Sequence, residues 1–195
     1  MACNGVTDAD IADVVGKGIP AALLMSNLQA AVRAFATDAA QPAELCQQVN
    51  RILCGNIAEG RFISFFYCVL DATAGVLTYT NAGHYLPMLV RADGTVERLG
   101  IGGPVLGVLG EAEYEQAQVV LGHGDRIVLF TDGLTEARDA SDEEFGEDRL
   151  QQAAVAHRAC SAPALQARLT AAVAAFTGGQ LQDDATLMIL AADQG

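Results

Sequence analysis

The chain has 195 residues, 51% of them hydrophobic, with 6% aromatic and no tryptophan; this is the make-up of one ordinary globular domain, long enough to bury about 70% of its unfolded surface. A formal net charge of −13 argues against nucleic acid and anionic membrane as partners, because both carry the same sign. The cysteines Cys3, Cys46, Cys54, Cys68 and Cys160 show no Cys-x-x-Cys spacing, so neither a zinc site nor a disulfide framework is indicated, and a cytoplasmic setting is expected.

Residues 1–18 are polar and acidic, with a weak strand signal over 11–14. They lack the basic start and apolar centre of a leader, and 18 apolar residues never run together, so neither secretion nor a membrane span is expected. The composition from 19 to about 35 predicts a helix with Pro20 in its first turn. A second helix is predicted over 42–57, with Leu45, Val49, Ile52 and Leu53 as its buried stripe. The pattern then changes to β-branched and aromatic runs at 61–71, 76–83 and 86–92, followed by candidate strands at 95–99, 104–109, 114–121 and 125–131. Connections this short predict an antiparallel meander, with Gly122-His123-Gly124 as a hairpin turn. A polar loop over 133–145 leads to helices at about 147–158 and 162–176. Ser161 is the expected N-cap of the second, and Gly178-Gly179 its stop. The last strand, 185–191, is apolar throughout and is predicted to be central. Together these elements make a single α+β domain spanning the whole chain.

Three acidic positions share a setting. Asp13 opens the glycine-bearing turn Val14-Val15-Gly16-Lys17-Gly18, Asp132 follows an apolar strand and precedes Gly133, and Asp183 and Asp184 precede the last strand. Carboxylates at strand ends can converge on one rim, and oxygen donors without His or Cys suit Mg²⁺ or Mn²⁺. Two such ions about 3.5–4 Å apart can activate water and neutralise a phosphoryl group. An Asp beside a Gly at a strand end is equally the chemistry of a plain turn, and spacing alone leaves that alternative open.

In order along the chain stand DVVGKGIPAALLM, RFISFFYCVLD, TYTNAGHYLPMLV, GGPVLGV, GDRIVLFTDGLTEARD, FGEDRL and DDATLMIL. From about 13 to 190 this set resembles the bacterial PPM-type (type 2C) serine/threonine protein phosphatases of the SpoIIE/RsbU group. The resemblance implies an αββα sandwich, two antiparallel sheets flanked by helices, with the metal site at one end. It implies that Asp13 bridges two metal ions, that Asp132 and Asp183 complete the first site, and that the Val14 carbonyl serves the second. It further implies hydrolysis of phosphoserine or phosphothreonine by a metal-activated water attacking in line, without a covalent phosphoenzyme. The implied substrate is a small anti-anti-sigma protein of the STAS type, and a sensor or receiver domain is the usual upstream partner.

Departures from the family pattern are local. The group carries a Gly-Gly-Asp strand some fifteen to twenty residues ahead of the position of Asp13, whereas here twelve residues precede it. Asp8 and Asp10 are too near Asp13 to replace that acid, so one metal site is expected to lack a ligand. The turn also reads Ala12 and Val15 where the group has Gly and Ser. These differences support a second reading, a catalytically silent module that binds a signalling partner. Among the remaining polar residues, His84 is expected to serve as a structural hydrogen-bonding group. His123, His157, Lys17 and the acids of 139–148 are expected to be solvated.

Overall fold

The computed structural model describes residues 6–36, 41–57, 60–179 and 184–193. In chain order the elements are β1 (Val6–Val14), α1 (Ile19–Phe35), α2 (Pro42–Cys54), β2 (Ile63–Asp71), β3 (Val76–Ala82), β4 (Met88–Val90) and β5 (Val96–Arg98). They continue with β6 (Gly102–Gly103), β7 (Ala117–Val120), β8 (Arg126–Phe130), α3 (Asp132–Thr135), α4 (Gly146–Ala156), α5 (Ala162–Thr177) and β9 (Leu187–Ala191). The chain divides into two units: Met1–His84 with Gly100–Val120, and Tyr85–Leu99 with Leu121–Gly195. Each carries a mainly antiparallel sheet with flanking helices, the α+β class read from the sequence. Among the described residues, no helix is long and apolar enough to cross a membrane.

In the first unit the sheet order is β1-β2-β3-β6, with β7 also paired to β3. Asp71 shapes the β2–β3 hairpin, its Oδ1 accepting from the backbone N–H groups of Thr73 and Ala74 at 2.9 Å each. One sheet face is covered by α1 and α2, whose Leu24, Leu28, Leu45, Val49 and Leu53 pack with Ile63, Phe65 and Tyr67. Side chains buried this fully contribute roughly 1.5–3 kcal/mol each. Ile52 does not join them and is 40% exposed. At 100° per residue the inward positions are 45, 46, 49, 50 and 53, so Cys46 and Asn50 occupy the places beside Leu45 and Val49.

Segment 104–109 is not a strand. Its backbone is met by α2 instead of by a ladder: Asn50 donates to the Leu109 carbonyl at 2.7 Å and accepts from the Gly107 N–H at 2.9 Å. One isolated bridge, Ile63 to Leu106, is what remains of the pairing. Gly102–Gly103 takes the place on the sheet, and it runs parallel to β3.

The second unit has the order β5-β4-β8-β9, with every residue of β8 buried. Met88, Val90, Val128 and Phe130 pack with Leu150, Leu165, Leu169 and Val173 from α4 and α5. Ser161 stands at the α5 N-cap without a side-chain cap bond, and Gly178 closes the helix with φ 67°. The expected loop after β8 begins with the short helix α3.

Two expectations about strand order fail here. Although apolar throughout, β9 is an edge strand among the described residues, half-buried at all five positions. Its apolar run reflects cover from α5, whose Gln166 also donates to the Leu187 carbonyl at 2.9 Å. Nor is the chain a simple meander, because β7 pairs in the first sheet and β8 in the second. The His123 turn therefore links two sheets instead of closing a hairpin. Short links exclude a parallel crossover within one sheet, but they do not prevent the chain from changing sheets.

Candidate metal centre

Asp13 stands one residue before the end of β1, and its direction follows from register. β1 and β2 pair without interruption from Val6–Asp71 to Val14–Ile63, so side chains alternate between the faces. Val14, Ile63, Phe65 and Tyr67 belong to the helix-covered core. Asp13, opposite Ser64, therefore lies on the other face. Asp8 and Asp10 have the opposite parity. Asp8 accepts from the Tyr67 hydroxyl at 3.4 Å. Burial, reinforced by the Asp8 charge, pushes the Asp10 carboxyl above the ordinary range. Neither acid shares a face with Asp13.

Ser64 Oγ and His84 Nδ1 share a hydrogen bond of 2.9 Å. The imidazole is buried, and the His84 backbone is held by a local clamp in which Asn81 Oδ1 accepts from the His84 backbone N–H at 2.7 Å, while Asn81 Nδ2 donates to the His84 carbonyl at 3.1 Å. The Asn-Ala-Gly-His motif thus seats a histidine against the cross-strand neighbour of Asp13. This is the hydrogen-bonding place expected for His84. Ser64 itself escaped the sequence reading, although a lone polar residue beginning the apolar run ISFFYCVL is a usable signal.

In the second unit the β8–β9 ladder runs on beyond the strands. The Thr131 N–H donates to the Thr186 carbonyl at 3.1 Å, and the Thr186 N–H donates to Thr131 Oγ1 at 3.0 Å. This brings the Thr-Asp-Gly segment against the start of the last strand. A Cβ on Gly133 would lie 2.2 Å from the Asp184 carbonyl oxygen and 2.9 Å from its carbon, closer than such atoms can approach. Gly133 is there for backbone contact, and that contact sets Asp132 beside the segment carrying Asp184. Asp132 is half-buried and its carbonyl accepts from the Glu136 N–H at 2.7 Å. Nearby, the Tyr85 hydroxyl donates to Glu136 at 3.2 Å. Burial, followed by the charges of Glu136, Asp132 and Glu147, pushes its phenol up to about 12, so it stays protonated.

Of the residues expected to hold metal, Asp13 and Val14 belong to the first unit and Asp132 to the second. Asp183 lies outside the described residues. Among the described residues no group of three or more His, Cys, Asp or Glu side chains is placed to hold a metal ion. In kind the donors fit a hard divalent cation: carboxylates and a backbone carbonyl, with neither Cys nor His among them.

The sequence signature described as "Stage II sporulation protein E (SpoIIE)" matches residues 5–193. The chain belongs to the SpoIIE family. This SpoIIE-family chain is 34% identical over 181 residues to the phosphoserine phosphatase RsbU of Bacillus subtilis, covering 92% of the chain and 54% of that relative. It therefore spans about half the length of RsbU. Among solved structures it is similar to the RsbU and RsbW domains of Rv1364c from Mycobacterium tuberculosis. That match has a TM-score of 0.76 and 25% identity, over 97% of this chain and 56% of the other. The SiaA-PP2C domain of Pseudomonas aeruginosa matches with a TM-score of 0.78 and 20% identity, over 95% and 79% of the two chains. The second likeness speaks for the fold.

Proposed function

We propose that this chain is a metal-dependent protein phosphatase that hydrolyses phosphoserine or phosphothreonine on a regulatory protein. The observation that carries the reading is the 34% identity to a phosphoserine phosphatase along 92% of the chain. In this proposal Asp13, the Val14 carbonyl, Asp132 and Asp183 hold Mn²⁺ or Mg²⁺. The bound cation would supply the charge that activates water and offsets the phosphoryl oxygens. The chain's own contribution is position. The β1–β2 register turns Asp13 onto one face, the Ser64–His84 bond steadies the strand beside it, and the Gly133 contact fixes where Asp132 emerges. The substrate we propose is a phosphorylated anti-anti-sigma protein of the STAS type in the cytoplasm, with a sensor or receiver domain as regulatory partner.

The parity of β1 favours a second reading, a silent module that binds such a partner, because Asp8 and Asp10 do not share a face with Asp13. The two readings separate in one assay: Mn²⁺-dependent phosphate release from an aryl phosphate and a phosphoserine peptide, comparing the chain with its Asp132→Asn variant. The phosphatase reading expects turnover by the parent and a loss of about 100-fold or more in the folded variant. A folded parent with no turnover would leave the silent module. Full turnover in the variant would remove Asp132 from the site.

A further inference from the structure

Among the described residues, β1 is the end strand of its sheet and pairs only with β2. Which of its backbone groups face outward follows from register. The ladder continues past the strand end, where the Val15 N–H donates to the Phe62 carbonyl at 3.1 Å, so Val15 and Phe62 are a hydrogen-bonded pair. In an antiparallel ladder such pairs alternate, which turns the backbone groups of Thr7, Ala9, Ile11 and Asp13 toward β2. The N–H and C=O groups of Asp8, Asp10, Ala12 and Val14 therefore point away from it, and no backbone partner among the described residues meets them. The edge lacks the usual backbone guards: its nine residues pair without a bulge, and neither Pro nor Lys occurs in the run. What it carries instead is charge, because Asp8 and Asp10 are exposed and share a face. The opposite face of the same stretch is apolar, with Ile11 buried and Ala9 half-buried.

We propose that this edge binds an extended segment of another protein as an added strand, with Lys or Arg opposite Asp8 and Asp10 and apolar residues between them. The added strand takes the outward groups of Asp8, Asp10 and Ala12. It stops short of Val14, whose carbonyl the phosphatase reading gives to a metal ion, and the inference stands without that reading. In such an addition main-chain hydrogen bonds supply the affinity, and side chains at alternate positions choose the partner. Charge decides between occupants. A second copy would bring its own Asp8, Asp10 and Asp13 to the edge, on a chain of net charge −13, and like charges on facing strands are destabilising. A basic strand meets the opposite case. Asp10, whose carboxyl is raised by burial and by the Asp8 charge, gains a cation across the ladder. On the other face an apolar residue beside Ile11 continues the row that Ile11 forms with buried Phe66.

The test is amide hydrogen exchange, read by NMR on the full 195-residue chain, with a peptide of alternating lysine and valine as the probe. The expected result is exchange slowed about 10-fold or more at Asp8, Asp10 and Ala12, with a smaller change at Ala9 and Ile11, which already bond to β2. The same peptide N-methylated at its ladder-facing residues should give no protection, and neither should one with glutamate in place of lysine. Ala12→Pro removes an outward donor without touching the β1–β2 ladder. It should weaken peptide binding by about 10-fold at an unchanged melting temperature. Should that variant fail to fold, the N-methylated peptide decides. No protection by the lysine peptide overturns the proposal, as does equal binding of the N-methylated one, which is charge attraction alone. Protection of these amides in the free chain that grows with its concentration also overturns it, because a second copy then holds the edge.

Discussion

The two strand ends that present Asp13 and Asp132 use different means. At Asp132 the constraint is backbone against backbone: Gly133 lies so close to the Asp184 carbonyl that no side chain fits between them. At Asp13 the constraint is side-chain chemistry laid over register, with Ser64 bonded to His84 and His84 clamped by Asn81. A backbone contact tolerates no substitution, whereas a hydrogen-bonded side chain can be trimmed at modest cost. The two strand ends should therefore respond very differently to mutation.

Adding one methyl group to the Asp132 half should produce the larger effect. Gly133→Ala is expected to destabilise the fold by about 1–3 kcal/mol, the usual cost of forcing extra atoms into a packed site, and to weaken Mn²⁺ binding with it. Urea unfolding monitored by circular dichroism measures the first effect and metal titration the second. A neutral result would mean that the two segments separate easily. On the Asp13 half, Ser64→Ala removes one partner of a hydrogen bond and should cost only about 1 kcal/mol, read in the same unfolding experiment. A loss as large as that of Gly133→Ala would erase the contrast.

Much of the fold was legible because local periodicity carried it. The first helix begins at Ile19 and ends at Phe35 as its composition predicts, and β2 and β3 follow their aromatic and β-branched runs. What escaped depends on distant partners. Segment 104–109 resembles a strand until Asn50, more than fifty residues earlier, satisfies its backbone. The last strand reads as central because α5 covers it; among the described residues only β8 flanks it. The change of sheet at His123 leaves no local mark at all.

The candidate site shows the same division. Acids beside glycines at strand ends pointed to Asp13 and Asp132, and the structure places both at such ends. The parity that separates Asp8 and Asp10 from Asp13 could have been counted from residue numbers once the strand was known to begin at Val6. Ser64 required the β1–β2 register, which no local pattern supplies. Why Gly133 must be glycine required the β9 neighbour.

The most direct test of the account is a calorimetric titration of Mn²⁺ into the parent chain and into its Asp13→Asn and Asp132→Asn variants, each first shown to be folded. If Asp13 and Asp132 hold the ion as proposed, either substitution weakens binding sharply. Parental affinity in both folded variants would contradict it.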